Sequence, residues 1–446
     1  MKLGNFVFYR QYNDKTFLVD TLHHRTYRFD TPVAEMLDLF KTETTLAEAN
    51  RQFAARFPRV DPVILSDNLE KMASFLGRHG MFQASVQEED ASKDSKPNTR
   101  FFQTYTICEK ILYSALFELT YRCPEKCVHC YLEPNTQASA YEAEKPCELT
   151  TAEICGALDQ LAAMNVMAVT FTGGEPFMRP DIYELLDYAG SKGFLINIFS
   201  NGILLKDKDV ERLAALHMNC FHSSLYSHIP EKHDAVTGVK GSFEKTIRTL
   251  RALSEKGVYV NIKFVLMEQN KNDFSSVISL AGSMNATCQL ISCVSPSKNG
   301  NCSLCDLTVK SDAELKRVLR EWNEISDFHP YKDTIREDAP ICEAGRNSIS
   351  IDPYGKVTPC NAFPYEIGNL RTTSIREIWE KSTRLKQWQQ TSFKSLAACS
   401  GCTYRGYCSF CPGNSIQQTG SPFGIVPEAC RQARLQYALH HENDNR

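Results

Sequence analysis

Short apolar runs separated by turn formers divide the chain into regions of different texture. In residues 1–85, FVFYR, TFLVD and TYRF read as strands, because aromatic and β-branched residues crowd between turn residues. Helical patterns follow at 32–40, 45–57 and 61–79, the last expected to present Val63, Leu65, Leu69, Met72 and Leu76 as one stripe. This predicts a small α+β module. The next stretch, SVQEEDASKDSKPNTR, has almost nothing to bury, and residues 86–111 are read as a linker.

From 112 to 325, ALFELT, VMAVTFT, FLINIFS, NCFHSSLYS, VYVNIKFVL and CQLISCV alternate with helical patterns. One helix opens with Thr150 and Glu153 in capping-box spacing and carries Ile154, Leu158 and Leu161 on one face. Six strands alternating with helices predict an α/β domain with a parallel sheet, open or curled into a partial (β/α)6 barrel. In such folds chemistry gathers at the C-terminal ends of the strands. Residues 326–446 are irregular and cysteine-rich. They contain a hairpin at SISIDPYGKVTPC, turned by Asp352, Pro353, Tyr354 and Gly355, and one amphipathic helix at SIREIWEKSTRLKQWQQ. So little apolar periodicity predicts that metal staples help hold this region together.

Charge narrows the function classes. Lys and Arg total 50 against 53 Asp and Glu, so no strong field attracts nucleic acid or an anionic membrane. The opening MKLGNFVFYRQYNDK lacks the apolar core of a signal peptide, and no run approaches the roughly 18 apolar residues of a membrane span. A cytoplasmic location is expected. The 18 cysteines then call for a use other than disulfides, and metal or cluster ligation fits a reducing compartment.

Just after the first strand of the repeating region, YRCPEKCVHCY places Cys123, Cys127 and Cys130 in a C-x3-C-x2-C array. Three thiolates so spaced suit a cubane iron–sulfur cluster with one iron left open. The alternative is a structural zinc loop, but zinc usually takes a fourth ligand, commonly from paired C-x2-C knuckles. Three later strand ends add polar groups. TGGEP supplies Gly173, Gly174, Glu175 and Pro176, FSNG supplies Ser200 and Asn201, and SSLYS supplies Ser223 and Ser224. Adjacent glycines allow close approach of a ligand, and a carboxylate accepts from an ammonium. Taken singly, a Gly-Gly turn is more often only a turn, the others are ordinary strand-end residues, and Lys263 on the fifth strand is equally a solvated lysine.

The cysteine array, with the aromatic His129 before its third cysteine, resembles the signature of the radical S-adenosylmethionine (SAM) superfamily. The resemblance implies that SAM binds the open iron through its amino and carboxylate groups. One electron then splits its carbon–sulfur bond, giving a 5'-deoxyadenosyl radical that abstracts hydrogen. It also implies that Gly173 to Pro176 hold the SAM amino group, that Ser200, Asn201, Ser223 and Ser224 approach its ribose or carboxylate, and that Lys263 reaches the carboxylate.

Further on, Cys342, Gly355 and Cys360 form C-x12-G-x4-C, while Cys399, Cys402, Cys408 and Cys411 form C-x2-C-x5-C-x2-C, with Cys430 beyond. This resembles the SPASM extension of radical SAM peptide-modifying enzymes, apart from an x2 spacing where that family has x3. The resemblance implies two auxiliary 4Fe-4S clusters in addition to the SAM-binding one. Cys399, Cys402, Cys408 and Cys430 would close one, and Cys342, Cys360 and Cys411 would hold the other. The fourth site of the latter is either open to a substrate thiolate, the favoured reading, or filled by Cys302 or Cys305 of SPSKNGNCSLCD. Zinc sites built from the same thiolates are the alternative. Cys108, Cys147, Cys155, Cys220, Cys288 and Cys293 receive no role and are mostly expected to be buried small hydrophobes.

The first 85 residues resemble the winged-helix leader-recognition module related to the pyrroloquinoline quinone peptide chaperone. By that resemblance a leader segment adds as a strand beside Arg25 to Phe29, facing the helix of Leu69 and Met72. A generic packing or dimerisation domain is the alternative. Together the regions resemble the thioether-forming maturases of the sactipeptide and ranthipeptide type. That implies a precursor peptide as partner and an external flavodoxin- or ferredoxin-type electron donor. Related peptide modifications (carbon–carbon crosslinking, epimerisation, formylglycine-type oxidation) and a non-catalytic iron–sulfur redox protein are the rival readings.

Overall fold

The computed structural model describes residues 1–23, 25–30, 33–83, 105–132, 147–216, 218–300, 302–326 and 337–443. The chain opens with β1 (Val7–Tyr12), β2 (Lys15–Asp20) and β3 (Arg25–Phe29), an antiparallel sheet in chain order. β1 and β2 pair Tyr12 with Lys15, which leaves a two-residue turn, and Asn13 takes the positive φ of 53° that such a turn demands. Three helices follow: α1 (Ala34–Asp38), α2 (Leu46–Arg56) and α3 (Pro62–Arg78). α3 is started by Asp61, whose side chain accepts from the Val63 amide, and by Pro62 in the first turn.

The expected stripe on α3 needs correction. Leu65, Leu69, Met72 and Leu76 are buried, but Val63 is 74% exposed. At about 100° per residue, Val63 lies on the side of the helix opposite Leu65 and Leu69, so it cannot share their face.

Of the expected linker, residues 86–104 lie outside the described residues. Tyr105 and Ile111 pack with Tyr12, Phe17 and Tyr113, which joins the module to the barrel. β1 docks there as well. The Arg10 guanidinium donates to Gly193 O (2.8 Å) and Val166 O (3.3 Å), and the Tyr12 hydroxyl donates to Asn165 O (3.0 Å). These carbonyls belong to the loops that enter the second and third barrel strands, so the module sits at the N-terminal end of the parallel sheet.

The barrel strands β4 (Ser114–Glu118), β5 (Ala168–Thr172), β6 (Leu195–Phe199), β7 (Cys220–Ser224), β8 (Val260–Val265) and β9 (Thr287–Ile291) pair in parallel and in chain order. A doubly wound sheet would reverse its strand order partway; this one does not, as expected of a sheet curling in one sense. The crossovers carry α4 (Thr151–Ala163), α5 (Ile182–Ser191), α6 (Asp207–Ala215), α7 (Pro230–Thr237), α8 (Ser242–Glu255) and α9 (Phe274–Ser283). The capping box of Thr150 and Glu153 is formed, and Ile154, Leu158 and Leu161 are buried. Phe117, Phe171, Phe221 and Phe264 fill the space between sheet and helices.

After α10 (Asp312–Ser326), the cysteine-rich region extends the barrel sheet. β10 (Ser348–Ile351) pairs parallel with β4, and β11 (Lys356–Thr358) and β12 (Gly368–Asn369) continue outward from it. The hairpin at Asp352 to Gly355 is present, with Gly355 at φ +87°. The expectation that this region lacks a core of its own is answered by sharing: Ile349, Ile351, Val357, Ile378 and Trp388 belong to the same hydrophobic cluster as the barrel. The single helix expected at SIREIWEKSTRLKQWQQ is two, α11 (Ile375–Lys381) and α12 (Thr383–Gln389). Ser382 breaks it, because its hydroxyl donates to Ile367 O (2.7 Å) and accepts from Leu385 N (3.4 Å), capping the second helix. α13 (Pro412–Thr419) and α14 (Pro427–Asn443) close the chain. No helix among the described residues is long and apolar enough to cross a membrane.

Candidate active site

At the C-terminal ends of the barrel strands lies a cavity of about 410 Å³, and Cys123, Cys127 and Cys130 line it. Their loop is fastened to α7: Lys126 N donates to Thr237 O (2.8 Å) and Val128 N to Val236 O (3.0 Å). Burial pushes the Cys123 thiol up to about 12 and Cys127 well above its ordinary value. Thiols so placed ionise on taking a metal, which displaces their protons.

Gly173 and Gly174 also line the cavity, but their lack of a side chain serves another contact. A Cβ on Gly173 would meet Thr120 O at 2.2 Å, and one on Gly174 would meet Arg122 O at 2.4 Å. The glycines therefore let this loop lie against the cysteine loop, where Gly174 N donates to Thr120 O (2.7 Å) and Glu175 N to Arg122 O (2.9 Å).

Glu175 is fully buried and does not line the cavity. Its carboxylate accepts from Ser200 Oγ (2.9 and 3.0 Å), Asn201 N (2.9 Å) and Phe177 N (3.1 Å). As placed it is a strut between two strand-end loops rather than an acceptor facing a ligand, and burial pushes it up to about 7. Pro176, also buried, starts the short turn Pro176–Met178.

Ser200 and Asn201 reach the cavity, and Asn201 Nδ2 donates to Cys123 Sγ at 3.7 Å. Ser223, Ser224 and Lys263, from the next two strands, also line the cavity; Lys263 bonds to Gln289, and burial lowers its pKa. Ser223 Oγ and His129 Nδ1 are buried with no hydrogen-bond partner among the described residues. The His129 ring stands edge-on to Tyr226 at 4.8 Å, and burial pushes it down to about 4. Unpartnered buried polar atoms around a cavity mark places where ligand groups belong. Soft thiolates for iron, with polar groups for a zwitterionic nucleoside, suit a cluster and SAM.

The other cysteines fall into further groups. Cys399, Cys402, Cys408 and Cys430 line a second cavity of about 420 Å³, walled by Leu396, Phe410 and Pro427. Burial pushes the Cys360 thiol up to about 12, and nearby Cys342 and Cys411 add to the shift. Among the described residues no three His, Cys, Asp or Glu side chains are grouped tightly enough to hold a single metal ion. A cubane spaces its thiolates more widely, because each takes a different iron. Of the cysteines expected to be buried hydrophobes, only Cys220 is buried; Cys155, Cys288 and Cys293 are partly buried, and Cys108 and Cys147 are exposed.

Sequence reasoning passed over several residues in and beside the cavity. Glu118, at the end of β4, is paired with Lys298 and accepts from the Tyr131 hydroxyl (2.9 Å), while Asn361 Nδ2 donates to that hydroxyl (3.3 Å). Cys293, Tyr131 and Asn361 line the cavity itself. The available signals were position alone: Cys293 lies two residues past the last strand, and Asn361 follows Cys360.

The fold and this site define a barrel enzyme whose first strand-end loop is built for iron–sulfur chemistry. Residues 117–281 match the radical SAM superfamily, and residues 342–403 match the SPASM iron–sulfur cluster-binding domain. The subtilosin biosynthesis protein AlbA of Bacillus subtilis is 31% identical over 308 residues, 67% of this chain and 66% of that relative. The mycofactocin maturase MftC of Mycolicibacterium smegmatis is 30% identical over 336 residues, 70% of this chain and 81% of the relative. The crystal structure of Streptococcus suis SuiB bound to S-adenosylmethionine shares the fold, with a TM-score of 0.60 at 16% identity over 96% of this chain and 100% of that one. The chain belongs to the radical SAM superfamily and carries a SPASM domain.

Proposed function

We propose that this chain is a maturase that forms thioether crosslinks, cysteine sulfur to carbon, in a ribosomally synthesised precursor peptide. The observation that carries the reading is the single cavity shared by Cys123, Cys127 and Cys130, the polar strand ends, and Asn361 from the cysteine-rich region. In this reading the three cysteines hold the SAM-binding cluster, which when loaded supplies the electron that cleaves SAM to the hydrogen-abstracting 5'-deoxyadenosyl radical. Ser200, Asn201, Ser224 and Lys263 orient SAM, and the unpartnered Ser223 Oγ and His129 Nδ1 take up its remaining polar atoms or ordered water. Glu175 acts through them, holding Ser200 and the Asn201 amide in place. The second and third cysteine groups hold auxiliary clusters, and a flavodoxin- or ferredoxin-type protein supplies electrons.

The leader of the precursor adds beside β3, which among the described residues pairs only with β2. Leu69 and Met72 are buried in the module's own core, so the apolar surface α3 offers a peptide is its first turn, Val63 and Ile64. Supporting the peptide substrate are the similarity to AlbA, a protein of subtilosin biosynthesis, and the solved complex of SuiB with precursor peptide SuiA. Similarity to MftC favours a second reading in which the peptide receives a different modification.

Anaerobic incubation with SAM, dithionite and a cysteine-bearing precursor tests this. Thioether formation removes a hydrogen pair per bridge and consumes free thiol; mass loss with all thiols intact selects the second reading. Absence of 5'-deoxyadenosine in the intact protein would remove both.

A further inference from the structure

Tyr131 and Asn361 reach the cavity from distant parts of the chain, one beside Cys130 and the other beside Cys360. Glu118, ion-paired with Lys298, can only accept, so the Tyr131 hydroxyl donates to it (2.9 Å). The hydroxyl oxygen is then an acceptor toward Asn361, at 3.3 Å, and only the amide nitrogen of Asn361 can face it. This chain of donors fixes which way round the Asn361 amide sits. Its Oδ1 and its second Nδ2 hydrogen are left without a partner among the described residues.

The surrounding contacts hold this pair still. Lys298 N donates to Tyr131 O (2.9 Å), and Gln417 Nε2 of α13 donates to Lys298 O (3.3 Å). On the Asn361 side, Cys360 O accepts from Thr358 Oγ1 (2.9 Å) and Phe363 N (3.0 Å). A polar group locked by its supports beside an open cavity is pre-organised for a ligand, because little ordering remains when the ligand arrives. The strand ends that orient SAM in the proposed function leave β6, β7 and β8, whereas Tyr131 follows β4 and Asn361 follows β11, on the other side of β5 in the sheet order. Asn361 is therefore placed for a second ligand in the same cavity. A neutral amide with a free acceptor and a free donor matches the N–H and C=O of a peptide backbone, and it offers no charge to a carboxylate or phosphate.

We infer that Asn361, locked by Tyr131, docks a backbone amide of the substrate peptide beside the carbon that loses hydrogen, and so helps determine which residue is modified. The inference rests on the reading of the substrate as a peptide. Asn361 touches substrate without exchanging a proton, since its side chain does not titrate; its part is placement. Tyr131 is a positioning residue that acts through Asn361, and Glu118 with Lys298 anchors Tyr131 in turn. A peptide held at one amide keeps a single C–H bond in line with the radical, whereas a loosely held one lets the radical be quenched without product.

The test uses the full chain reconstituted anaerobically, with the cysteine-bearing precursor of the thioether assay and copies of it N-methylated at one backbone nitrogen at a time. Iron content, SAM affinity by calorimetry, kcat/KM and 5'-deoxyadenosine released per modified peptide are measured for wild type, Asn361→Ala, Asn361→Asp and Tyr131→Phe. N-methylation at one position should lower the wild-type kcat/KM by about tenfold or more, the effect of stranding a buried polar group. Asn361→Ala should lose a similar factor on the unmethylated peptide, lose nothing further at that position, and release more 5'-deoxyadenosine per product, with iron and SAM affinity at wild-type values. Tyr131→Phe should change the same quantities in the same direction by a smaller factor. Should Asn361→Ala lose iron, Asn361→Asp, of equal size, carries the comparison. Unchanged kcat/KM and product ratio in the Asn361 variants, an N-methyl penalty equal in variant and wild type, or iron loss in both Asn361 variants overturns the inference alone. If the wild type releases 5'-deoxyadenosine but modifies no peptide, the peptide reading fails and the inference falls with it.

Discussion

Lys298 reaches from the loop after β9 to Glu118 at the end of β4, and its ammonium also donates to the Tyr121 hydroxyl at 2.9 Å. The Glu118 side chain is 1% exposed and that of Lys298 24%, so this contact ties the wall carrying Cys293 to the cysteine loop within a largely dry environment.

Removing one partner of a fully buried pair costs about 3–5 kcal/mol, because the other charge stays behind unpaired. Partial exposure of Lys298 softens this, and Lys298→Met is expected to destabilise the loaded enzyme by about 2–3 kcal/mol in anaerobic urea unfolding. The double variant with Glu118→Gln should lose less than the sum of the singles. Additive losses would mean that the two side chains do not interact.

Glu175→Ala leaves the Asn201 and Phe177 amides and the Ser200 hydroxyl without their acceptor. Unsatisfied buried donors cost about 1–3 kcal/mol each, so the strand-end loop should shift. SAM affinity by anaerobic calorimetry is expected to fall by about tenfold or more, with Glu175→Gln losing less. Unchanged affinity in the Ala variant would remove Glu175 from any positioning role.

Glycine replacements should split by location. Gly174→Ala drives a Cβ to 2.4 Å from Arg122 O, a backbone atom that cannot swing aside, so the cysteine loop should be displaced and iron content should drop. Gly156 in α4 and Gly282 in α9 have nothing within 4 Å of an added Cβ. Alanine at either should raise stability by up to about 1 kcal/mol without changing iron content.

His233 is buried between Tyr226 and Phe243, its Nδ1 accepts from Tyr226 N at 3.3 Å, and burial pushes it down to about 4; burial does the same to His222. An unfolded histidine titrates near about 6.5, so between these values the unfolded chain binds more protons than the folded one. The stability they provide is complete above about pH 6.5 and is lost as pH falls toward 4. Melting temperatures measured from pH 8 down to pH 5 should fall below 6.5, and His233→Gln should reduce the slope. An identical slope would show that His233 takes its proton in the folded state.

Much of the architecture could be read from local pattern. Apolar runs of strand length marked the six barrel strands, and Thr150 with Glu153 marked a helix start, because both depend on spacing over a few residues. The cysteine spacings that signal the radical SAM and SPASM families were legible for the same reason. Where local pattern misled, the fault was geometric: Val63 was grouped with residues on the other side of its helix, and Ser382 ended a helix through a bond to the distant Ile367.

Spacing along the chain thus determined which segments are strands and which loops carry thiols. Only the tertiary structure decided that β10 joins β4, pairing Ser348 with Ser114, and that Glu175 faces Ser200 instead of the cavity. It likewise put Cys293 and Asn361 on the wall of one cavity. These relationships join residues far apart in the chain. They depend on how packed layers stack and on which buried polar groups find partners, quantities that no local window of residues contains.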